Sequence, residues 1–195
     1  MSEGTYRVIV PPTIEPVTLA EAKAQCRVDI STDDAYITSL ITAAREHCEG
    51  IDWCAYMTQT LELWLEDWPL DDEIELPRPP LQSVSSVKYY DVNDVEYTLA
   101  TTVYAVDVVS VPGLIHLRYL QTWPILQLRD YNAIKITYIA GWDSAAYMPV
   151  VIKQAMLLLI GHWYENREGI LVGSISKSIE FGVHALLALN SVKEF

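Results

Sequence analysis

Two hydrophobic periods divide the chain. Near its start and its end apolar residues recur every three or four positions, and between these parts they recur every two. LAEAKAQCR consists of good helix formers and Thr18 with Glu21 has capping-box spacing, so a short helix is expected over about 18 to 27. VDISTDD interrupts it. Ser31, Thr32 or Asp33 then caps a longer helix in which Ile37, Leu40, Ile41, Ala44, Cys48 and Ile51 make one buried stripe. From Met57 the period changes: Leu61, Leu63 and Leu65 alternate with Glu62, Trp64 and Glu66, as in a half-buried strand.

Pro77, Pro79 and Pro80 mark a corner before a second strand in SVSSVKYYD, and VND turns into VEYTL as a hairpin. TTVYAVDVV, GLIHLRY and NAIKITYIAG add three short strands. After the turn GWDSAAYMP, with Pro149 at the first helical position, PVVIKQAMLLLIGHWYENRE reads as a core or interface helix, apolar nearly all round and ended by Gly169. ILVGSISKSIEFG reads as a loop or extended piece, and VHALLALNSVKEF as a final short helix. The opening VIVPPTIEPVT is extended, because its prolines lack amide donors and restrict their predecessors. The expected fold is α+β: an α-helical core of N-terminal helices and one long C-terminal helix, with an inserted small antiparallel β unit. Residues 1–56 and 142–195 would form the helical parts and 57–141 the insert.

At 195 residues, 51% hydrophobic and 20% charged, the chain can bury a sizeable core. Its mean hydropathy is +0.15, yet the longest apolar run, AMLLLIG, is far short of the ~20 residues of a membrane span. No membrane association is expected, and the surplus apolar surface points to protein interfaces. Thirteen basic against 26 acidic residues give a net charge of −13, which excludes a sequence-independent grip on duplex DNA. Cys26, Cys48 and Cys54 form no C-x-x-C pair, and MSEGTYRVIVPPTIEP lacks the basic and apolar regions of a secretion signal. Both features predict unpaired, mostly buried thiols in a reducing cytoplasm.

HWYENREG, residues 162 to 169, concentrates the candidate chemistry. His162 and Glu165 share a helix face at a spacing used by di-iron bundles, but in reversed order and without a second copy. His47, His116 and His184 lie in unrelated elements, so no metal site is assembled. There is no G-x-S-x-G and no glycine-rich phosphate loop, and the paired acids sit at helix starts and turns. Neither catalysis nor a cofactor is expected. A metal-dependent hydrolase using His162 and Glu165, and a carbohydrate-binding module built on Trp64, Trp68, Trp123 and Trp142, are the readings left from other classes.

Taken in order, the motifs resemble the head-tail connector (adaptor, head completion) proteins of bacteriophages and prophages. VTLAEAKAQCRVDISTDDAYITSLITAAREHCEG resembles that family's Leu-x-Glu-Ala-Lys helix, Arg-Val-Asp and Asp-Asp helix start. IELPRPPLQSVSSVKYYD resembles its Leu-Pro-x-Pro-Pro corner and Val-x-Tyr-Tyr-Asp strand, and YIAGW, the helix to HWYENRE and FGVHALLALNSVKEF follow in the family's order. Cys26 and Trp53-Cys54 depart from the family's aliphatic, small or glycine positions. The resemblance implies a non-enzymatic virion protein at the head-tail interface, in host cytoplasm during assembly. It further implies a ring of about a dozen copies beneath the portal protein, extending the DNA channel and giving a platform to a tail-ward stopper or completion protein. Double-stranded DNA would pass without specific binding, past an acidic lumen that repels phosphates. A tail-completion or stopper protein of the same particle is the alternative, although strong helices at both ends do not suit a mainly β stopper. Helix faces around 33 to 53 and 150 to 168 are the candidate subunit interface, through Ile37, Leu40, Ile41, Ala44, Arg45, Trp163, Tyr164, Glu165 and Arg167. Val183, Leu186, Leu187 and Leu189 are the candidate portal-docking residues.

Overall fold

The computed structural model describes residues 4–167 and 175–188. In chain order its elements are β1 (Thr5–Val10), α1 (Leu19–Cys26), α2 (Asp34–Asp52), β2 (Gln59–Leu65), β3 (Glu73–Leu76), β4 (Leu81–Tyr90), β5 (Glu96–Thr98), β6 (Tyr104–Asp107), β7 (Gly113–Leu117), β8 (Ile134–Ala140), α3 (Val150–Glu165) and α4 (Ile175–Ala188). The protein is mixed α+β, and all its strand pairs are antiparallel.

The strands form one compact unit, made of β1 to Pro12 and of Thr58–Gly141. Five of them run in the order β1-β2-β8-β4-β5 and three in the order β3-β7-β6. Period two places Leu61, Leu63 and Leu65 of β2 beside Ile134, Ile136 and Tyr138 of β8, all buried. Ile74 and Leu76 of β3, Ile115 of β7 and Val87 of β4 are buried in the same unit. A Cβ on Gly113 would collide with Leu81, so only glycine lets the start of β7 approach β4. Burial pushes the Tyr138 hydroxyl well above its ordinary range, and it donates to the Pro77 carbonyl at 2.8 Å. β1 corrects the expected grouping of residues 1–56: Thr5, Tyr6 and Arg7 pair with Trp64, Leu63 and Glu62, so this strand belongs with the sheet. Pro11 and Pro12 end it.

The helices form the second unit, from Thr13 to Met57 and from Trp142 onward. α1 begins with a capping box: Glu21 N–H donates to Thr18 Oγ1 at 3.2 Å, and Thr18 N–H to Glu21 Oε2 at 2.8 Å. The stripe of α2 packs with Ile152, Ala155, Met156, Leu159 and Ile160 of α3 and with Val183 and Leu187 of α4. Pro149 is the N-cap of α3, one residue before its expected place, and the helix ends at Glu165. Gly169, its expected terminator, lies outside the described residues. The loop expected before residue 183 is corrected too, since α4 already begins at Ile175. All three cysteines are free and Cys48 and Cys54 are buried; burial, then Asp52 and Glu49, pushes the Cys48 thiol up to about 12.

Among the described residues of this helical core one cation, Arg45, is buried. The Arg45 side chain is 6% exposed, with Nε 2.8 Å from Glu15 Oε2 and Nη1 3.1 Å from Glu49 Oε2. Burial works against its charge, but bonding to Glu15 and the fields of Glu49, Glu15 and Glu46 outweigh it and raise its pKa. Glu49 Oε1 accepts the Tyr56 amide at 2.7 Å, while Asp52 Oδ2 accepts the Tyr56 hydroxyl at 2.6 Å and Oδ1 the Cys54 amide at 3.1 Å. Arg45 is therefore a core residue, which corrects its assignment to a subunit interface. Arg45→Ala leaves Glu49 buried without its cation and is expected to cost about 3–5 kcal/mol in chemical unfolding of the full chain; a loss below about 1 kcal/mol, the range of an exposed pair, would show the charge to be solvated.

Candidate assembly surfaces

The start of α2 and the end of α3 meet through the residues of HWYENREG. Asp33 is the N-cap of α2, but its side chain makes no capping bond. It faces α3 instead, where Oδ2 accepts the Tyr164 hydroxyl at 2.6 Å and Arg167 Nη2 at 2.7 Å. The Arg167 guanidinium lies 4.6 Å from the Tyr36 ring centre and 4.8 Å from that of Tyr164, so it is held by two π faces as well as by the carboxylate. The Tyr36 hydroxyl donates to the Trp163 carbonyl at 3.4 Å, and the Trp163 ring meets His47 edge-on at 5.8 Å. Hydrogen bonds from Tyr164 first and Arg167 second hold the Asp33 carboxyl below its usual range, and Asp33 in turn raises both partners. This is an intramolecular clamp at the surface, with Arg167 half exposed and screened by water.

His162 belongs to the end of the same helix. Asn166 Nδ2 donates to the His162 carbonyl at 2.9 Å and lies 3.2 Å from its Nδ1, so the pair closes the last turn of α3. Among the described residues no three His, Cys, Asp or Glu side chains converge as a metal site would require, and no described helix is long and apolar enough to cross a membrane.

The remaining site residues divide by burial. Ile37, Leu40, Ile41 and Ala44 are covered by the chain's own helices, and a neighbouring subunit could reach them only by opening that core. This corrects their assignment to a subunit interface. Trp163 and Tyr164 are half buried and hold the clamp, while Glu165 and Arg167 are exposed. Val183 and Leu187 are buried and Leu186 packs partly against the same core, so these three hold α4 in place rather than offering it outward. Leu189 lies outside the described residues.

Pattern reading passed over two surfaces on the strand unit. One is the outer face of the five-stranded sheet, where Trp64 and Tyr90 stack at 6.4 Å with Arg7, Arg129 and Lys135 around them. The in-between residues of TQTLELW and AIKITY carried that signal, but only the register joins them. The other is a group of exposed apolar side chains in the segment after β7, which no period marks.

The clamp has a pH signature. Because the folded Asp33 pKa is depressed, its contribution is present above the ordinary carboxylate range and lost as pH falls through the depressed titration. In Asp33→Asn that dependence is expected to vanish and amide exchange to quicken at 163–167, with the global unfolding temperature nearly unchanged; exchange identical to wild type would show that the clamp does not order the end of α3.

No curated protein matches the chain. Among solved structures, a chain of the virion of a native gene transfer agent (GTA) particle has a TM-score of 0.78 at 22% identity, covering 98% of this chain and 97% of that one. A chain from the neck of an empty GTA particle computed with C6 symmetry gives 0.77 at 24% identity, over 99% and 97%. One from the neck of a native GTA particle computed with C12 symmetry gives 0.75 at 24%, over 99% and 97%. At such identities the likeness is one of fold. Residues 16–111 match the family of phage gp6-like head-tail connector proteins, a span that runs from the helix-capping motif of α1 through the proline corner and the β4–β5 hairpin to the turn after β6. Over that span, just under half of its length, the chain is similar to the phage gp6-like head-tail connector family.

Proposed function

We propose that the chain is a structural neck protein of a phage-like particle: about a dozen copies form a ring beneath the portal, extend the channel for DNA and offer a platform to a tail-ward stopper or completion protein. The observation that carries this reading is the family match over residues 16–111 joined to a fold shared end to end with chains of GTA particle necks. The C12 symmetry of one such neck supports the copy number. Composition agrees in physical terms. A net charge of −13 disfavours adsorption of phosphates, so duplex DNA can move past without sticking. The strand unit also leaves large apolar side chains in water, as a subunit awaiting neighbours would.

Portal docking is assigned to the C-terminal segment, with the buried Val183 and Leu187 fixing α4 to the helical core and the exposed His184 and Ala185 turned outward. His184→Glu with Ala185→Glu is expected to abolish co-purification with the portal protein while the unfolding temperature is kept; undiminished co-purification would move the docking surface off this face of α4.

Light scattering across protein concentration, with negative-stain imaging of the largest species, tests the ring. Annular particles with a central hole are the expected outcome. A chain that stays monomeric at every concentration, and also when co-expressed with the portal protein, would return the reading to a stopper or tail-completion role.

A further inference from the structure

The strand unit carries two surfaces of opposite character that its own chain leaves uncovered. The first is the end of the small sheet where β3 begins and β7 stops. There the Leu117 amide donates to the Asp72 carbonyl at 2.8 Å and the Trp123 indole to the Asp71 carbonyl at 3.0 Å. The Trp123 indole also stacks on Trp68, with ring centres 4.8 Å apart and planes 6° apart. These ties hold the segment after β7 in place, yet Leu70 and Ile125 are fully exposed and Tyr119 and Leu120 are 90% and 82% exposed. Leu120 also takes φ 61°, a left-handed conformation that a leucine rarely adopts. A surface turn with no other task would place glycine or asparagine there and polar side chains around it. The rim is mainly acidic: Asp67, Asp71 and Asp72 are exposed and residues 65–77 contain no lysine or arginine, while Arg118, beside Tyr119, is exposed and donates Nε to the Tyr104 carbonyl at 2.9 Å.

The second surface is the outer face of the five-stranded sheet. The unit holds six Lys and Arg residues, at 7, 78, 88, 118, 129 and 135. Four of them lie on or beside the Trp64–Tyr90 stack: the Arg129 guanidinium is 4.0 Å from the Tyr90 ring centre, and Lys135 Nζ and the Arg7 guanidinium are 5.3 and 5.8 Å from that of Trp64. Lys88 stands directly opposite Lys135 on the neighbouring strand, a like-charge pairing that sheets avoid unless something compensates it. Glu96 bridges the two at 2.5 and 3.7 Å, and Glu62 pairs with Arg7. Asp94 pairs with Arg129 at 3.2 Å, so four cations stand there against three carboxylates, and the face is aromatic with a slight excess of positive charge within a chain of net charge −13.

We infer that in the ring, and resting on that reading, the acid-rimmed apolar tip of one copy docks on the cationic aromatic sheet face of the next. Tip against tip would oppose carboxylates, and face against face would oppose cations. Only tip against face matches charge while removing Leu120 and Ile125 from water. Two different patches on one chain make a head-to-tail contact, which repeats from subunit to subunit until a ring closes.

Two variants of the full chain test this. Leu120→Asp with Ile125→Asp removes the tip, and Arg7→Glu with Lys88→Glu removes the face; circular dichroism and unfolding temperature check that each still folds. Wild type is expected to sediment as rings, each variant alone as a monomer, and their equimolar mixture as a dimer, because each supplies the half that the other lacks. Rings from either variant alone, or a mixture of monomers only, overturn the inference and leave the ring reading standing, since the wild type still closes. A wild-type chain that never self-associates, even when co-expressed with the portal protein, overturns both. If charge reversal unfolds the strands, Arg7→Ala with Lys88→Ala replaces it, with the same outcomes.

Discussion

The helical unit is organised around a guanidinium that water barely reaches. Arg45 sits on the buried face of α2, where isolated charge is costly, and the carboxylates of Glu15 and Glu49, with Glu46 at 3.6 Å, make its place tolerable. Satisfying it fixes more than one side chain. Glu15 belongs to the segment leading into α1, and Glu49 spends its other oxygen on the Tyr56 amide, so the chain before α1 and the chain after α2 are both tied to the same helix. Asp52 repeats the device one turn later by holding the Tyr56 hydroxyl and the Cys54 amide. Apolar packing alone would accept neighbouring registers of these segments, whereas a buried charge with directed partners accepts few.

What the linear pattern could reveal follows from where neighbours lie. Capping at Thr18, the stripe of α2 and the alternation of β2 and β8 are local, and the chain folds as they indicate. β3 has four residues, in which Ile74 and Leu76 alternate with Glu73 and Glu75, too few for a period to stand out beside three prolines. β1 shows most of its side chains to water because it is an edge strand, so its partner in β2 is set by register and hydrogen bonds that no local pattern contains. The stripe Ile37, Leu40, Ile41 and Ala44 could equally have covered a core or met a subunit. Which of these holds depends on α3 and α4, more than a hundred residues away in sequence. Arg167 was legible as a candidate interface residue; that Asp33 pairs with it inside the same chain required the end of α3 to lie against the start of α2.

The two units use their apolar residues differently, and this bears on assembly. Along the helices the large aliphatic side chains are mostly spent on one another, and the cluster at the end of α3 is closed by Asp33 within the same chain. On the strand unit the core is filled by Leu61, Ile134, Ile136 and their neighbours, yet Leu70, Leu120 and Ile125 remain in water on a segment held by stacked indoles. The mean hydropathy of +0.15 therefore has two sources, a packed helical core and the apolar side chains left in water, which are fully exposed at the strand unit's Leu70 and Ile125 and largely so at Tyr147 and Val150 of the helical unit.

Charge sharpens the distinction. A subunit of net charge −13 repels its copies at long range, and that repulsion keeps free subunits apart. It also means that any contact between copies must gather the few available cations in one place, because apolar contact alone would have to overcome the field of both chains. The helical unit commits Lys23, Arg45, Lys153 and Arg167 to internal carboxylates of Asp34, Glu15, Glu21 and Asp33. The sheet face pairs its cations too, with Glu62, Glu96 and Asp94, but it also sets them against flat aromatic rings and leaves the Arg7 side chain 64% open to water. A ring built through that face brings copies together where the described cations are most concentrated, and it leaves much of the remaining surface acidic for the DNA that the proposed channel has to pass.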